Sequence, residues 1–188
     1  ISGAPLYNLE GKLSGTMGIH VDITDRKKSE VELLNTQKRL DRYKQGLASI
    51  NEIGSNQSLS LLDQLEAGLN IAANFLGLPI GIVSEIEGEK YTIKEFHLDD
   101  DNGALTQGQE FTLQSTYCDL VYQQNHKIAI SHFSKSDYKN HPCYELFQLE
   151  SYIGTTYTVN GKLRGTINFS SPTPKEGKFD AYDLEFID

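Results

Sequence analysis

The sequence predicts an α+β chain: a central antiparallel sheet flanked by helices, with a β-hairpin and a long helix ahead of it. Three observations predict this. The phrase GKLSGT at residues 11–16 returns as GKLRGT at 161–166, inside the wider windows YNLEGKLSGTMGIH and YTVNGKLRGTINFS, and each window places a turn glycine between apolar runs. Leu33, Leu40 and Leu47 recur every seven residues in a segment otherwise filled mostly by Lys, Arg, Asp, Glu and Gln. From residue 79 onward, short apolar runs of strand length are separated by turn residues, and the chain closes on a helix signal. Helix, antiparallel strands, helix is an α+β order.

Taken in order, residues 6–22 read as strand, turn, strand. Gly11 follows Glu10 and supplies the positive φ that a two-residue connection needs. Asn160-Gly161 is the stronger form of the same signal, because both residues tolerate positive φ. Gly15 and Gly165 fall in the second strand of each hairpin, where a missing side chain points to close packing or a bulge. Two hairpins that converged on one turn chemistry would also produce such a repeat. At Thr24 the pattern turns helical. Thr24 suits the N-cap and Asp25 the first turn, while Lys27 stands where a full capping box has Glu or Gln. Leu33, Thr36, Leu40, Tyr43, Leu47 and Ile50 form a narrow stripe flanked by charge. It reads as the seam of a parallel coiled-coil dimer, on a helix roughly 40 Å long. The same stripe would serve an amphipathic helix lying on its own domain. Gly54, Ser55 and Asn56 mark its end.

A second helix is expected from about residue 58 to 76, burying Leu62, Leu65, Leu69, Ala72, Ala73 and Leu76. PIGIVSEIEG and KYTIKEFHL read as two strands around Glu87-Gly88-Glu89, and residues 99–110 as a polar loop. STYCDLVYQQ reads as a short helix and KIAIS as a strand. SKSDYKNHPCYELFQL is irregular, with a helical turn or two after Pro142. SYIGTTYTV and KLRGTINFSS form the closing hairpin, and FDAYDLEFID starts a last helix capped by Asp180.

Composition narrows the function classes. With 17 Lys and Arg against 26 Asp and Glu, the net charge is −9. That is the wrong sign for nucleic acid or an anionic membrane surface, so neither partner is expected. No apolar run approaches the roughly 18 residues of a transmembrane helix, and no secretory leader is expected. A length of 188 residues allows one full domain and part of another. The first residue is Ile, from which we expect a piece of a longer protein. Cys118 and Cys143 lack the dense spacing of a disulfide scaffold and are expected as unpaired, buried thiols of a cytoplasmic protein.

GAPLYNLEGKLSGTMGIHVDITDRKKSE is similar to the end of a PAS domain. The last two strands of that family finish in Asp-Ile-Thr followed by an acidic residue, Arg and Lys; here these are Asp22-Ile23-Thr24-Asp25-Arg26-Lys27. Helical signal-transmitting linkers typically leave from this motif. Residues from about 58 onward resemble a GAF domain through STYCDLVYQQN, HPCYELFQLESYIGTTYTVNGKLRGTINFSSPTP and FDAYDLEFI. The resemblance implies three parts: a PAS-tail hairpin at 1–24, a helical coiled-coil linker at 25–56 and a GAF domain at 57–188. It implies the sensory and dimerisation region of a bacterial signal-transduction protein. The expected parent is a two-component sensor histidine kinase or an enzyme of cyclic-di-nucleotide signalling. The GAF domain would sense a small molecule, and the linker of a parallel homodimer would relay it to an output domain of the same polypeptide. No phosphoacceptor-His helix, ATP-binding glycine box or Gly-Gly-Asp-Glu-Phe motif occurs in the sequence, so catalysis is expected elsewhere. A ligand-free GAF domain that only dimerises is the alternative, and a GAF-fold methionine sulfoxide reductase is a third reading.

GAF pockets usually lie between the sheet and the irregular segment before the closing hairpin. Here that region is dense in polar aromatics, His and Cys: Tyr117, Cys118, His132, Phe133, Tyr138, His141, Cys143, Tyr144 and Tyr152. Such rings stack on a planar ligand and still offer a hydrogen bond. A core of mutually satisfied aromatics is the plainer reading. Beyond an unknown small molecule, no cofactor is assigned. Cys118, His132, His141 and Cys143 are zinc-ligand types, but their spacing, C-x13-H-x8-H-x-C, is not that of a usual zinc site, so no metal is expected. Phytochrome-like GAF domains commonly attach bilin through a Cys followed by His, whereas Cys118 precedes Asp119 and Cys143 precedes Tyr144. Sulfoxide reduction needs an attacking and a resolving thiol, so Cys118 and Cys143 would have to share a cleft. DDDNGALTQGQE places Asp99, Asp101 and Glu110 at positions 1, 3 and 12 of an EF-hand loop. Gly103 and Ala104 then stand where a ligand and the glycine belong, so a solvated acidic loop is expected. A lone hairpin is marginal in water, so residues 1–22 are expected to be disordered or to lean on a neighbouring chain.

Overall fold

The computed structural model describes residues 2–19, 21–100, 103 and 105–187. The chain divides into two compact units, residues 1–40 and 41–188. In the first, β1 (Ser2–Tyr7) pairs antiparallel with β2 (Leu13–Ile19), so this segment forms a hairpin. Its connection is longer than the two residues expected. Asn8 Oδ1 accepts from the backbone N–H of Glu10 and Lys12, and the Asn8 carbonyl accepts from Gly11 N–H, with Gly11 at φ 75°. An Asn side chain that mimics the turn's own hydrogen bonds favours this wider loop. Leu6, Tyr7, Leu13 and Met17 are exposed on the hairpin.

α1 spans Thr24–Ser55. Thr24 is not its cap: Asp22 Oδ1 accepts from Thr24 N–H at 2.9 Å, and the Ile23 carbonyl accepts from Lys27 N–H, which places Thr24 in the first turn. In the first unit Val31, Leu33 and Leu34 are exposed along α1.

The second unit contains residues 41–55 of α1, α2 (Leu61–Leu76) and a six-stranded antiparallel sheet. The strands are β3 (Ile80–Glu87), β4 (Lys90–Leu98), β5 (Glu110–Thr112), β6 (Ile128–Ile130), β7 (Ser151–Val159) and β8 (Lys162–Ser171). Their order is β5-β4-β3-β8-β7-β6. Short helices α3 (Cys118–Gln124) and α4 (Pro142–Phe147) precede the closing hairpin, and α5 (Ala181–Phe186) follows it. α2 begins later than expected because Ser60 caps it. Ser60 Oγ accepts from Asp63 N–H, and Asp63 returns the bond to Ser60 N–H. Leu62, expected on the buried face, is exposed, and Phe75 is buried instead. β5 begins at Glu110, the last residue of the expected loop.

Alternation along the strands builds two cores, one on each face of the sheet. Ile86, Tyr91, Ile93 and Tyr152 face α3 and α4, with Val121 and Phe133 packed over them. Val83, Ile153 and Phe169 face α2 and α5, against Leu69, Leu76 and Phe186. Tyr43, Leu47 and Ile50 of α1 pack partly buried against this second core. The Tyr43 ring lies 5.2 Å from Tyr182, and Phe75 stacks on Phe186 at 4.0 Å. Half of the expected dimer seam is therefore engaged within its own domain.

The repeated phrase encodes a bulge as well as a turn. Both hairpins skip one residue of pairing just before the shared glycine, at Ser14 and at Arg164. In the second hairpin the turn is Asn160-Gly161, at φ 52° and 73°, the two-residue connection the sequence signals. A Cβ on Gly165 would sit 1.8 Å from the Ser84 carbonyl oxygen of β3, so only glycine fits there. A Cβ on Gly15 would meet nothing within 4 Å.

Candidate functional site

The first core does not fill its space. A cavity of about 330 Å³ lies between the sheet and the α3–α4 side. Ile80 and Ile82 of β3, Tyr91, Ile93 and Leu98 of β4, and Asn168 and Ser170 of β8 supply one wall; Ile80 and Ile82, Tyr91 and Ile93, and Asn168 and Ser170 are each two residues apart on one face. Thr116, Tyr117, Cys118 and Leu149 supply the opposite wall, and Leu105, Gln109, Phe111 and Phe147 the rest. Phe147 is 37% exposed and marks where the cavity meets solvent. Its ring meets Phe111 edge-on at 5.7 Å, and Phe111 meets Tyr91 at 6.2 Å.

The polar part of the wall is centred on one sulfur. Asn168 Nδ2 donates to Cys118 Sγ at 3.2 Å, Tyr152 O–H donates to it at 3.5 Å, and the Cys118 thiol donates to the Tyr91 hydroxyl at 3.7 Å. Behind them the Ser84 and Thr166 hydroxyls bond at 2.8 Å. Gly154 makes this arrangement possible, since a Cβ there would stand 2.5 Å from the Tyr152 hydroxyl. Burial pushes the Cys118 thiol up, against hydrogen bonding with Thr166, Tyr152 and Tyr91 that pulls the other way. Burial also pushes the Tyr91 and Tyr152 phenols far up. All three stay protonated at neutral pH, and no lining residue among those described is of a charged type.

Of the nine residues expected at a pocket, Tyr117, Cys118 and Tyr152 line this cavity. Tyr117 is also a strut: its hydroxyl donates to the Leu149 carbonyl and accepts from Leu149 N–H, both at 2.9 Å. Phe133 and Cys143 are buried in the core outside the lining. Phe133 packs edge-on against Tyr117 at 4.7 Å and stacks on Tyr144 at 5.4 Å. Tyr144 donates to Glu150 at 2.6 Å, and Glu150 also accepts from Ser134 N–H and Oγ and lies 3.7 Å from His132 Nε2. Burial pulls the Glu150 carboxyl up, but these partners outweigh it and hold it below the usual range. Tyr138 accepts from Gln124 at 3.3 Å. His132, Tyr138, His141 and Tyr144 thus hold the irregular segment together and lie outside the lining of this cavity.

Cys143, His141 and Asp119 form a chain of the types used by thiol nucleophiles. The Cys143 thiol donates to His141 Nδ1 at 3.0 Å, and His141 Nε2 stands 3.5 Å from Asp119. The arrangement is a cap. His141 Nδ1 also accepts from Cys143 N–H at the start of α4. Cys143 is 0% exposed, and burial pushes its thiol up to about 12. Cys143 and Asp119 occupy opposite nitrogens of the ring, so they do not converge on one ion. Among the described residues no group of three or more His, Cys, Asp or Glu could hold a metal. Both cysteines are free, and only Cys118 reaches the cavity. Asp101 and Ala104 of the calcium reading lie outside the described residues.

A model of the GAF domain family matches residues 60–188. The chain belongs to the GAF family. GAF domains are sensory or regulatory modules of signalling proteins and are generally non-catalytic. Among solved structures, this GAF chain is similar to the GAF domain of a phosphoenolpyruvate-protein phosphotransferase from Acinetobacter, with 18% identity over 79% of this chain and 85% of that one and a TM-score of 0.58. It is also similar to the phycocyanobilin-bound GAF domain of a cyanobacterial phytochrome (12% identity, 75% and 86% covered, TM-score 0.59). A third likeness is to the free methionine-R-sulfoxide reductase of Neisseria meningitidis in complex with its substrate (11% identity, 77% and 80% covered, TM-score 0.59). At these identities the likeness shows the fold alone. No curated protein matches the chain. Among the described residues no helix is long and apolar enough to cross a membrane.

The residues that sequence reasoning missed are Tyr91, Phe111, Phe147 and Asn168. For Tyr91 and Asn168 the signal was the alternation of β4 and β8, which places alternate residues on one face. Nothing in the sequence says which face stays open.

Proposed function

We propose that residues 57–188 are the small-molecule sensing part of a bacterial signalling protein, and that the cavity beside Cys118 is the sensing site. The observation that carries this is the cavity itself: about 330 Å³ of space inside the first core, against the close packing usual for protein interiors. A module that only dimerises has no use for it. α1 is the relay. Tyr43, Leu47 and Ile50 read the state of the domain through the second core, and Leu33, Thr36 and Leu40 continue the stripe as the seam of a parallel homodimer. Residues 1–24 are read as the closing hairpin of a PAS domain. The shared bulge and glycine of the two hairpins support that, as does the Asp-Ile-Thr exit. The output domain is then a histidine kinase or a cyclic-di-nucleotide enzyme of the same cytoplasmic polypeptide.

A thermal-shift screen of a small-molecule library tests the sensing site. At least one compound should raise the Tm of the natural chain and leave Ile82→Trp, whose indole fills the cavity, unmoved. A screen in which nothing shifts, or in which every shift survives the filling, would overturn the reading.

A further inference from the structure

We infer that the cavity takes an uncharged, largely apolar and compact molecule, about the size of two fused aromatic rings, docking one polar group on Asn168, and that it refuses anions, phosphorylated ligands included. This rests on the cavity being a ligand site and names the class it admits.

Three observations carry it. The first is charge. No described lining residue is charged, and the two lysines of β4 are already paired, Lys90 with Glu110 at 2.7 Å and Lys94 with Glu85 at 2.6 Å. An anion entering this wall would lose its water and find no cation, a cost that ordinary hydrogen bonds do not offset. The protonated state of Cys118, Tyr91 and Tyr152 keeps the wall neutral.

The second is hydrogen bonding. Among the described residues no buried side-chain nitrogen or oxygen lacks a partner. The wall is complete without solvent, the condition under which an apolar cavity stays dry. Asn168 is held only loosely, its amide reaching Cys118 Sγ at 3.2 Å and the Ile82 carbonyl at 3.4 Å. A bond at 3.4 Å lies beyond the usual range for nitrogen and oxygen, and sulfur is a weak acceptor. A ligand hydroxyl or carbonyl would displace these at little cost.

The third is size and shape. A volume of about 330 Å³ stands at the low end of ligand pockets and equals the liquid volume of roughly eleven waters. Tyr91, Phe111 and Phe147 present edges and faces of rings along its lining, the surfaces on which a flat apolar molecule packs best.

Naphthol and naphthoate share a ring system and differ in charge, so they separate the class from the site. Calorimetry and thermal shift on the 188-residue chain should show naphthol binding one to one. At ten times its Kd it should raise Tm by about 3–6 °C. Naphthoate and cyclic GMP should bind at least about a hundredfold more weakly. Asn168→Leu should weaken naphthol about tenfold, and either filler, Ile82→Trp or Leu105→Trp, should abolish it. Naphthoate or cyclic GMP binding as tightly as naphthol would overturn the class and leave the site standing. Naphthol binding that survives both fillers would place it outside the cavity and overturn the inference. Failure of naphthol with a charged hit in the library screen would overturn the class alone. Failure of both would remove class and site together.

Discussion

Cys118 is where the residue scale decides most. Two donors, Asn168 and Tyr152, point at its sulfur from the wall of the cavity. Cys118→Ala would leave both unpaired and enlarge the space, at a cost of about 1–3 kcal/mol in urea unfolding. Cys118→Ser keeps an acceptor and should cost less; equal losses would mean that the sulfur is packing only. The thiols also set a pH limit. Burial raises Cys143 from 9.0 to about 12 and moves Cys118 the same way. The native state keeps these protons where the unfolded chain releases them, so the stability they contribute is present below about pH 9 and declines as pH rises towards 12. The urea midpoint should fall progressively over that window and not between pH 6 and 8. Only part of the site is legible at this scale. The region rich in Tyr, His and Cys is conspicuous in sequence, and Tyr117, Cys118 and Tyr152 do line the cavity. The others are conspicuous because a segment with little regular structure needs side-chain partners, such as Glu150 for Tyr144 and Ser134, to hold it down.

Among the elements, the two hairpins are the most informative pair. Asn160-Gly161 announced the second turn correctly, because its geometry depends on those two residues alone. The first turn misled, because Asn8, three residues before Gly11, captures two backbone N–H groups and widens the loop. The glycine after each bulge looks identical in sequence and differs in consequence. Gly165→Ala would drive a methyl into the Ser84 carbonyl, an overlap expected to cost about 3 kcal/mol or more. Gly15→Ala has open space and should stay within about 0.5 kcal/mol. Similar losses at both would refute the close approach of β3 and β8. α1 shows the limit of periodicity. A heptad stripe states which residues share a face but not what covers them. Tyr43, Leu47 and Ile50 meet their own domain through Phe75, Tyr182 and Phe186, residues far along the chain.

At the scale of the whole molecule, the proposed relay depends on assembly. Leu33 leaves apolar surface exposed on α1, and the proposed homodimer would cover it. Sedimentation should show a dimer at low micromolar concentration, and Leu33→Asp should make it a folded monomer, since that side chain is 71% exposed within its own chain. A monomeric natural chain would remove the relay and leave the sensing domain. A second apolar groove, of about 320 Å³ among Ile53, Leu61, Leu65 and Ile187, opens on the opposite face of the sheet. It offers a competing address for any apolar ligand. The most direct test is therefore a crystal soaked with a brominated naphthol. Anomalous scattering from bromine should appear inside the first core, between Ile82, Phe111 and Cys118. A bromine peak confined to the opposite groove would contradict the sensing site, and no peak at saturating concentration would contradict the ligand class.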